Sequence, residues 1–215
     1  MSSARFWFID FDDTLALGPT TWAVQTVLPE MIRRHALPAD EHTLTRALLH
    51  GQAQAASGLN EMLILDELFD AMGWPDDLKP TLIEAVFERY TPTLFADAIP
   101  FLQRLREHKQ RVFILSNNNQ APQLAEGLGI VTLVEDVFTP KRCAVSRGKP
   151  DRALWDCVLA QLTPTAPIII GDDPWSEGAF AAACEIDCIL VDRLDRFANI
   201  SAFPRVRSLA EIAVG

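Results

Sequence analysis

The stretch Phe6-Trp7-Phe8-Ile9-Asp10-Phe11-Asp12-Asp13-Thr14 leads four large apolar residues directly into a group of carboxylates and a hydroxyl. A short, continuous apolar run of this kind is typical of a strand that is buried on both faces of a parallel sheet. Because the acids cannot remain inside with it, we expect the strand to end at Asp10 and to place the carboxylates at the sheet edge. In an extended chain, Asp10, Asp12 and Thr14 would point to the same side. The alternative is a solvated acidic turn, since aspartate is common in turns.

The composition fits a globular protein with one large domain, or with a core domain and a smaller insert. The chain has 215 residues, of which 49% are hydrophobic, and a formal net charge of −10. That charge argues against nucleic acid or an anionic membrane as a partner. The N-terminus lacks a secretory signal pattern, and no apolar run reaches the roughly 18 residues of a membrane span. We therefore expect a cytoplasmic protein that binds neither nucleic acid nor membrane, and its oligomeric state is left open.

The cysteines and histidines give no sign of a disulfide or a zinc site. Cys143, Cys157, Cys184 and Cys188 form no C-x-x-C pair and lie among apolar residues. We expect all four to be buried, reduced thiols rather than disulfides or zinc ligands. The four histidines are scattered without the spacing of metal ligands.

Between residues 20 and 91 the sequence predicts helices and no strand. Helical spacing of apolar residues and turn signals predict helices over Thr20–Ile32, with a kink or break near Pro29, and over Glu41–His50, Asn60–Ala71 and Leu78–Tyr90. The segment 51–58 fits either the end of a helix or a loop. An all-helical block of this size between strands predicts an inserted domain over residues 18–96, with the core formed by residues 1–17 and 97–215.

From Ile99 onwards the pattern alternates between helix and strand. The strands are expected over Arg111–Leu115, within Val131–Phe138, and over Ala166–Ile170 and Cys188–Val191. The helices are expected over Pro100–His108, Pro122–Gly127, Pro150–Ala160, Trp175–Cys184 and Leu209–Val214. Such alternation predicts an α/β fold, with a three-layer, Rossmann-like parallel sheet core and the all-α insert.

Polar side chains follow three of the predicted strands at the point where each strand ends. These are Asp10, Ser116 and Asp172, and Lys149 would reach the same place from the start of its helix. In open α/β sheets the carboxyl ends of the strands form the ligand-binding edge. Carboxylates, a hydroxyl with neighbouring amides and one ammonium suit a hard divalent cation such as Mg²⁺, with a phosphoryl group held against it.

In chain order, D-x-D-x-T at residues 10–14, Ser116-Asn117, Lys149-Pro150 and Gly171-Asp172-Asp173 resemble the motifs of the haloacid dehalogenase superfamily of phosphohydrolases. The resemblance spans the whole chain, and the helical insert lies where that superfamily has its helical cap, between the first and second motifs. It implies an Mg²⁺-dependent phosphatase that acts on a small phosphorylated metabolite, with a cap domain inserted in the core.

The resemblance implies a role for each residue of the first motif. Asp10 would be the nucleophile that takes the phosphoryl group as an aspartyl phosphate, and it would also ligate the metal. Asp12 would protonate the leaving oxygen and then activate water, while its backbone carbonyl ligates the metal. Thr14 would orient Asp12.

The later motifs would bind the phosphoryl group and the metal. By the same resemblance, Ser116 and the amide of Asn117 would hold phosphoryl oxygens. Lys149 would neutralise charge between the nucleophile and the phosphate. Asp172 would ligate Mg²⁺ directly.

The fourth motif departs from the superfamily pattern, which usually has a second aspartate five residues after the first. Here that position is Glu177. Glu177 could hold a metal-bound water, Asp173 could share or take over that role, or Glu177 could be a first-turn helix acid favoured by the helix dipole. The predicted metal set is therefore Asp10, Asp12 and Asp172, with Asp173 and Glu177.

Related activities remain open at this level. Dehalogenases of the superfamily lack the second acid, so Asp12 favours a phosphatase. The phosphonate-cleaving branch needs a Schiff-base lysine in the cap, which the turn-like setting of Lys79 does not fit. A phosphomutase of the β-phosphoglucomutase type shares the core residues. A low-turnover binding or regulatory protein would keep the fold, and Glu177 in place of aspartate favours that alternative.

Overall fold

The computed structural model describes residues 4–58, 60 and 62–214. The chain divides into two compact units, one formed by the residues up to Leu17 and from Thr93 onwards, the other by Gly18–Pro92. The chain re-enters the first unit at Thr93, whereas the sequence predicts that the core resumes at residue 97. The reason is local pairing, because the Leu17 N–H donates to the Thr93 carbonyl (2.9 Å) and the Phe95 N–H donates to the Leu15 carbonyl (3.0 Å).

A parallel sheet of six strands forms the centre of the first unit as far as the structure describes it. In spatial order the strands run β3-β2-β1-β4-β5-β6. They are β1 (Phe6–Ile9), β2 (Arg111–Leu115), β3 (Asp136–Phe138), β4 (Ile168–Gly171), β5 (Asp187–Val191) and β6 (Arg205–Val206). The register places Ile9 opposite Ile114 on β2 and Ile170 on β4. The carboxyl ends of the three central strands therefore meet at one level, as the sequence predicts.

The second unit is helical. Its elements are α1 (Pro19–Trp22), a π-helical turn (Ala23–Val27), α2 (Leu28–His35), α3 (Glu41–Gly58), α4 (Met62–Met72), a 3₁₀ turn (Asp76–Leu78) and α5 (Lys79–Arg89). The irregular turn falls before Pro29, which lies in the first turn of α2 where proline is tolerated. Segment 51–58 continues α3, and part of the helix expected from Asn60, at Glu61, lies outside the described residues. The apolar sides of the helices meet in one cluster around Leu68, Phe69 and Leu82.

The helices of the first unit cover both faces of the sheet. They are α6 (Ala98–Glu107), α7 (Ala121–Gly127), α8 (Pro140–Cys143), α9 (Ala153–Gln161) and α10 (Ala179–Cys184). Because side chains alternate along β1, Trp7 packs edge-on to Phe101 of α6 (6.0 Å between ring centroids). On the other face, Phe8 packs edge-on to Trp155 of α9 (5.1 Å). The three-layer α/β architecture is thereby confirmed. None of the helices described is long and apolar enough to cross a membrane.

Three of the helices predicted for the first unit differ clearly from the structure. The helix expected from Pro150 begins at Ala153, whose N–H donates to the Asp151 carboxylate (2.8 Å). The helix expected from Trp175 opens with a π-helical turn, Pro174–Gly178. The closing helix is only a 3₁₀ turn, Leu209–Glu211, which ends as the backbone extends at Ile212.

The expectation that all cysteines are reduced is wrong for one pair. Cys143 at the end of α8 and Cys157 in α9 form a disulfide, with their Cα atoms 5.8 Å apart. The packing of two short helices brings them together, and a sequence separation of 14 carries no signal of it. Cys184 and Cys188 are free and buried, as expected.

Candidate active site

Asp10 is fixed by the main chain at the end of β1. Its N–H donates to the Ile170 carbonyl of β4 (2.8 Å), which ties the residue to the neighbouring strand. The chain then turns, because Asp13 adopts a left-handed conformation (φ 57°) and its N–H donates to the Ala16 carbonyl (2.6 Å). The expected extended alternation of Asp10, Asp12 and Thr14 therefore does not hold beyond Asp12.

Lys149 is a buried cation between two buried carboxylates. Its Nζ lies 2.5 Å from Asp10 Oδ1 and 2.5 Å from Glu177 Oε1, and it donates to the Leu115 carbonyl at 2.8 Å. The ammonium has three hydrogens, so these contacts use its full donor capacity. The Lys149 side chain is 1% exposed and that of Glu177 is 3% exposed. Loss of one partner from a buried pair of this kind leaves an uncompensated charge.

The carboxamide of Asn117 positions the backbone of Lys149. Asn117 Nδ2 donates to the Lys149 carbonyl (2.8 Å), and the Lys149 N–H donates to Asn117 Oδ1 (2.7 Å). Gly148 permits this close pairing, since a Cβ at that position would overlap the Asn117 carboxamide. The sequence assigned only the main-chain amide of Asn117 to a role, so the positioning function of its side chain was missed. Ser116, at the end of β2, is buried and its Oγ accepts the Asn118 N–H (3.1 Å).

Glu177 lies against Gly171, the last residue of β4. A Cβ at Gly171 would overlap the Glu177 side chain, so the glycine makes room for the longer acid to reach Lys149. Glu177 Oε1 accepts the Ser176 hydroxyl (3.1 Å), and Oε2 accepts the Asp173 N–H (3.2 Å). Asp173 itself caps the π-helical turn, because its Oδ1 accepts the Trp175 N–H (2.7 Å). The part of either acid in metal binding stays a prediction.

Asp12 receives a hydrogen bond from a residue that the sequence did not single out. Asn118 Nδ2 donates to Asp12 Oδ2 (3.0 Å). The expected orienting residue, Thr14, is fully buried, and its hydroxyl has no hydrogen-bond partner among the described residues. The Thr14 carbonyl accepts Arg193 Nη2 (2.8 Å), and the orienting role of Thr14 towards Asp12 stays a prediction.

Arg193 ties the turn after β1 to the start of α6. Its guanidinium makes two hydrogen bonds of 2.9 Å to Asp97 and lies 3.9 Å from the ring centroid of Phe95. The Asp97 carboxylate also accepts the Ser208 hydroxyl (2.6 Å). These contacts support the turn that carries Asp12, and no motif in the sequence indicates them.

The electrostatic balance at this edge of the sheet is negative. Burial raises the pKa of Asp10 well above its ordinary value, while Lys149 opposes that rise and Glu177 and Asp12 add to it. Burial likewise raises the pKa of Asp172, followed by the charge of Asp13 and of other nearby acids. Burial lowers the pKa of Lys149, but Asp10 and Glu177 outweigh it and hold the pKa above its ordinary value.

The residues at this edge fit a hard divalent cation. Asp10 and Asp172 are buried oxygen donors whose negative charge Lys149 offsets only in part, and the Asp12 carbonyl follows directly. No group of three His, Cys, Asp or Glu side chains in the described part of the chain forms a complete metal-ligand set. Mg²⁺ does not need one, since it keeps several waters and binds through one or two carboxylates.

A family model described as haloacid dehalogenase-like hydrolase matches residues 7–184, from β1 to the end of α10. This range includes most of the chain and every residue of the four motifs. The chain belongs to the haloacid dehalogenase-like hydrolase family. The resemblance predicted from the motifs is therefore confirmed. No curated protein matches the sequence.

Solved structures of other HAD hydrolases share the fold of this HAD-like hydrolase at low sequence identity. The HAD hydrolase YfnB from Bacillus subtilis, bound to magnesium, is 17% identical with a TM-score of 0.68, and the match covers 98% of this chain and 97% of that one. A 2-haloacid dehalogenase from Pseudomonas syringae pv. tomato is 21% identical with a TM-score of 0.56, covering 97% and 96%. A HAD phosphatase from Thermococcus onnurineus is 14% identical with a TM-score of 0.57, covering 97% and 95%.

Proposed function

We propose that this HAD-like hydrolase is an Mg²⁺-dependent phosphatase that removes the phosphoryl group from a small phosphorylated metabolite. The observation that carries the proposal is the second acid, Asp12, which stands two residues after Asp10 and is held by the Asn118 amide at 3.0 Å. An ester oxygen leaves readily when an acid protonates it, whereas a halide ion leaves without a proton. A second acid at this position therefore favours phosphate esters over haloacids.

The contacts of Asp10 and Asp12 support a two-step reaction. Lys149 holds Asp10 Oδ1 (2.5 Å), so we assign the attack on phosphorus to Oδ2. As the bond to the leaving oxygen breaks, Asp12 gives that oxygen its proton, and an aspartyl phosphate forms on Asp10. Asp12 then takes a proton from water, whose oxygen attacks phosphorus. The bond to Asp10 breaks, and inorganic phosphate is released.

The surrounding residues hold the reacting groups. Ser116 and the Asn117 N–H bind phosphoryl oxygens. Lys149 offsets negative charge, and Glu177 holds the Lys149 ammonium in place. Asp10, Asp172 and the Asp12 carbonyl would hold Mg²⁺, with Asp173 and Glu177 as candidates for contacts through water. When bound, Mg²⁺ supplies positive charge that keeps Asp10 ionised and stabilises the transferring phosphoryl group.

The solved relatives define the competing chemistry. One is described as a phosphatase and another as a 2-haloacid dehalogenase, so the same fold serves both kinds of reaction. We therefore test both substrate classes on one preparation. The purified protein with Mg²⁺ is incubated with a library of phosphate esters and with 2-haloacids, and released phosphate, halide and sugar-phosphate isomers are measured.

We expect phosphate release, and a loss of at least roughly 10³-fold in kcat for Asp10→Asn and for Asp12→Asn. Asp12→Asn should still trap labelled phosphate on the protein, because its nucleophile is intact. Asp70→Asn is the control, because Asp70 is an exposed acid of α4 with no assigned step.

Three results would refute the proposal. Halide release without phosphate release would show a dehalogenase. An isomer instead of free phosphate would show a mutase. Phosphate release no greater than that of Asp10→Asn on every ester would show a binding or regulatory protein.

A further inference from the structure

Arg196 is a second cation at the candidate site and belongs to none of the four motifs. It lies in the loop after β5, and its Nη2 donates to Asp172 Oδ2 (3.3 Å). The Asp172 side chain is 11% exposed and that of Arg196 is 24% exposed, so the pair stands at the boundary between the protein interior and solvent. Asp172 is also one of the carboxylates expected to hold the metal.

The loop that carries Arg196 is anchored by a fully buried acid. Asp192 Oδ1 accepts the Arg196 N–H (2.8 Å), and its Oδ2 accepts the Phe197 N–H (2.8 Å) and Arg205 Nη1 (2.7 Å). The Arg196 guanidinium lies 5.1 Å from the ring centroid of Phe197, and that ring packs edge-on to Trp175 (5.4 Å). The backbone of Arg196 is therefore fixed, and an aromatic ring limits where its guanidinium can go.

The two cations at the site differ in what they can offer a ligand. Lys149 directs its three hydrogens at Asp10, Leu115 and Glu177, so it contributes charge rather than a hydrogen bond to an arriving oxygen. A guanidinium has five donor hydrogens in a planar fork that matches the oxygens of phosphate and carboxylate groups. The Arg196 guanidinium therefore has donor hydrogens in a geometry that suits anions, whereas all three hydrogens of Lys149 point at protein oxygens.

A metal ion at Asp172 would compete with this ion pair. A dication and a guanidinium beside one carboxylate oxygen repel each other, and the dication carries the larger charge. Arg196 would then lose its contact with Asp172 while its loop stays anchored through Asp192 at the same edge of the site.

We propose that Arg196 is an exchangeable counter-ion, which pairs with Asp172 in the metal-free protein and binds an anionic group of the substrate once the metal has taken Asp172. The second half of this proposal rests on the proposed phosphatase function. The first half concerns the metal alone.

The first test is a calorimetric titration with Mg²⁺ alone, at fixed ionic strength, on the wild type, Arg196→Gln and Arg196→Lys. Because the competing cation is gone, Arg196→Gln should bind Mg²⁺ roughly fivefold more tightly, as expected for the loss of a partly exposed ion pair. Arg196→Lys should lie close to the wild type. Arg207→Gln is the matched control, since it removes a nearby arginine that pairs with Asp195 rather than Asp172. Unchanged or weaker Mg²⁺ binding by a folded Arg196→Gln overturns the competition.

The second test titrates inorganic phosphate at saturating Mg²⁺. Arg196→Gln should bind phosphate roughly tenfold more weakly because it lacks a charge-assisted hydrogen-bond donor, and Arg207→Gln should match the wild type. Equal phosphate affinity in Arg196→Gln and the wild type overturns the anion-binding half. Thermal melting of each variant shows whether it is folded, and Arg196→Lys provides the comparison if Arg196→Gln is not.

These tests separate the inference from the proposed function. If the wild type hydrolyses no ester but Arg196→Gln still binds Mg²⁺ more tightly, the phosphatase proposal fails while the exchange at Asp172 stands. If esters are hydrolysed and neither titration responds to Arg196→Gln, the inference fails and the phosphatase proposal stands.

Discussion

The α/β unit and the helical unit bury different kinds of side chain. Eight buried residues in the described structure are polar or charged, and every one of them lies in the α/β unit: Asp10, Thr14, Ser116, Thr139, Lys149, Asp172, Glu177 and Asp192. The described residues of the helical unit bury no charged or hydroxyl side chain, and each of their ion pairs has at least one partner that is well exposed, as between Arg89 and Glu30 (45% and 46% exposed).

This difference shows that the α/β unit contains buried charges that are unfavourable for stability. A buried charge is unfavourable unless it is paired and hydrogen-bonded. Asp10, Lys149, Asp172 and Glu177 nevertheless meet at one edge of one sheet, whereas the helical unit obtains its stability from apolar packing around Leu68 and Phe69. The buried charges are therefore concentrated at the candidate site.

Removing the buried cation should have the largest effect. Lys149→Met leaves Asp10 and Glu177 without their counter-ion, so we expect about 3–5 kcal/mol less stability and a loss of roughly 10³-fold in kcat. Urea unfolding and phosphate release measure the two quantities. Lys141→Met, at an exposed lysine of α8, is the control. A Lys149→Met protein as stable and active as this control would contradict the contrast between the units.

A core deletion in the helical unit should cost stability without disturbing the charged site. Leu68 is fully buried, so Leu68→Ala should lower the free energy of unfolding by about 2–5 kcal/mol. Phe87→Ala serves as control because Phe87 is 85% exposed and should cost little. We expect the Mg²⁺ affinity of both variants to equal that of the wild type. A weaker affinity in folded Leu68→Ala would show that the two units do not divide their roles in this way.

A methyl group at Gly171 should disturb the site through steric overlap. Gly171→Ala forces Glu177 away from Lys149, and overpacking of this kind costs about 1–3 kcal/mol. We also expect slower phosphate release, because the ammonium loses one of its anchors. The matched control is Gly127→Ala, where the added Cβ meets nothing within 4 Å. Equal melting temperatures for the two variants would refute the assigned role of Gly171.

The smallest effect concerns Asp97, and it depends on pH. Burial raises the pKa of Asp97, but hydrogen bonds from Arg193 and Ser208 outweigh it, so the pKa lies below the ordinary value of 3.8. The stabilisation is therefore present above that value and is lost as the pH falls through the folded-state pKa. Thermal melting from pH 6 to pH 3 should show that Asp97→Asn removes an acid-sensitive contribution of no more than roughly 1 kcal/mol. If the melting temperatures of Asp97→Asn and of the wild type fall by the same amount between pH 6 and pH 3, this prediction is wrong.

The sequence predicts the sheet well because apolar strands and the acids that follow them are local signals. Phe6–Ile9, Arg111–Leu115 and Ile168–Gly171 are strands, and their ends meet as expected. The two-residue strand β6 and the π-helical turns carry no such signal, because tertiary packing rather than local propensity decides them. The disulfide between Cys143 and Cys157 is likewise a product of helix packing.

The motifs indicate which residues gather at the site but not which pairs form. Lys149 and Asp10 meet as expected, whereas the close contact of Lys149 with Glu177 depends on the space above Gly171. Asn118 and Arg196 belong to no motif, and the carboxylates that their side chains contact, those of Asp12 and Asp172, are distant in sequence. Patterns of residue type therefore predict the chemistry of the site better than its geometry.

The paired segments at Leu17 and Thr93 have a consequence for how such a chain can change. The polypeptide leaves the α/β unit and comes back at neighbouring points joined by main-chain hydrogen bonds. A stretch with adjacent ends can be shortened, extended or exchanged without shifting the strands on either side. Evolution can thus replace the segment from Gly18 to Pro92 as a unit while the α/β framework is inherited unchanged.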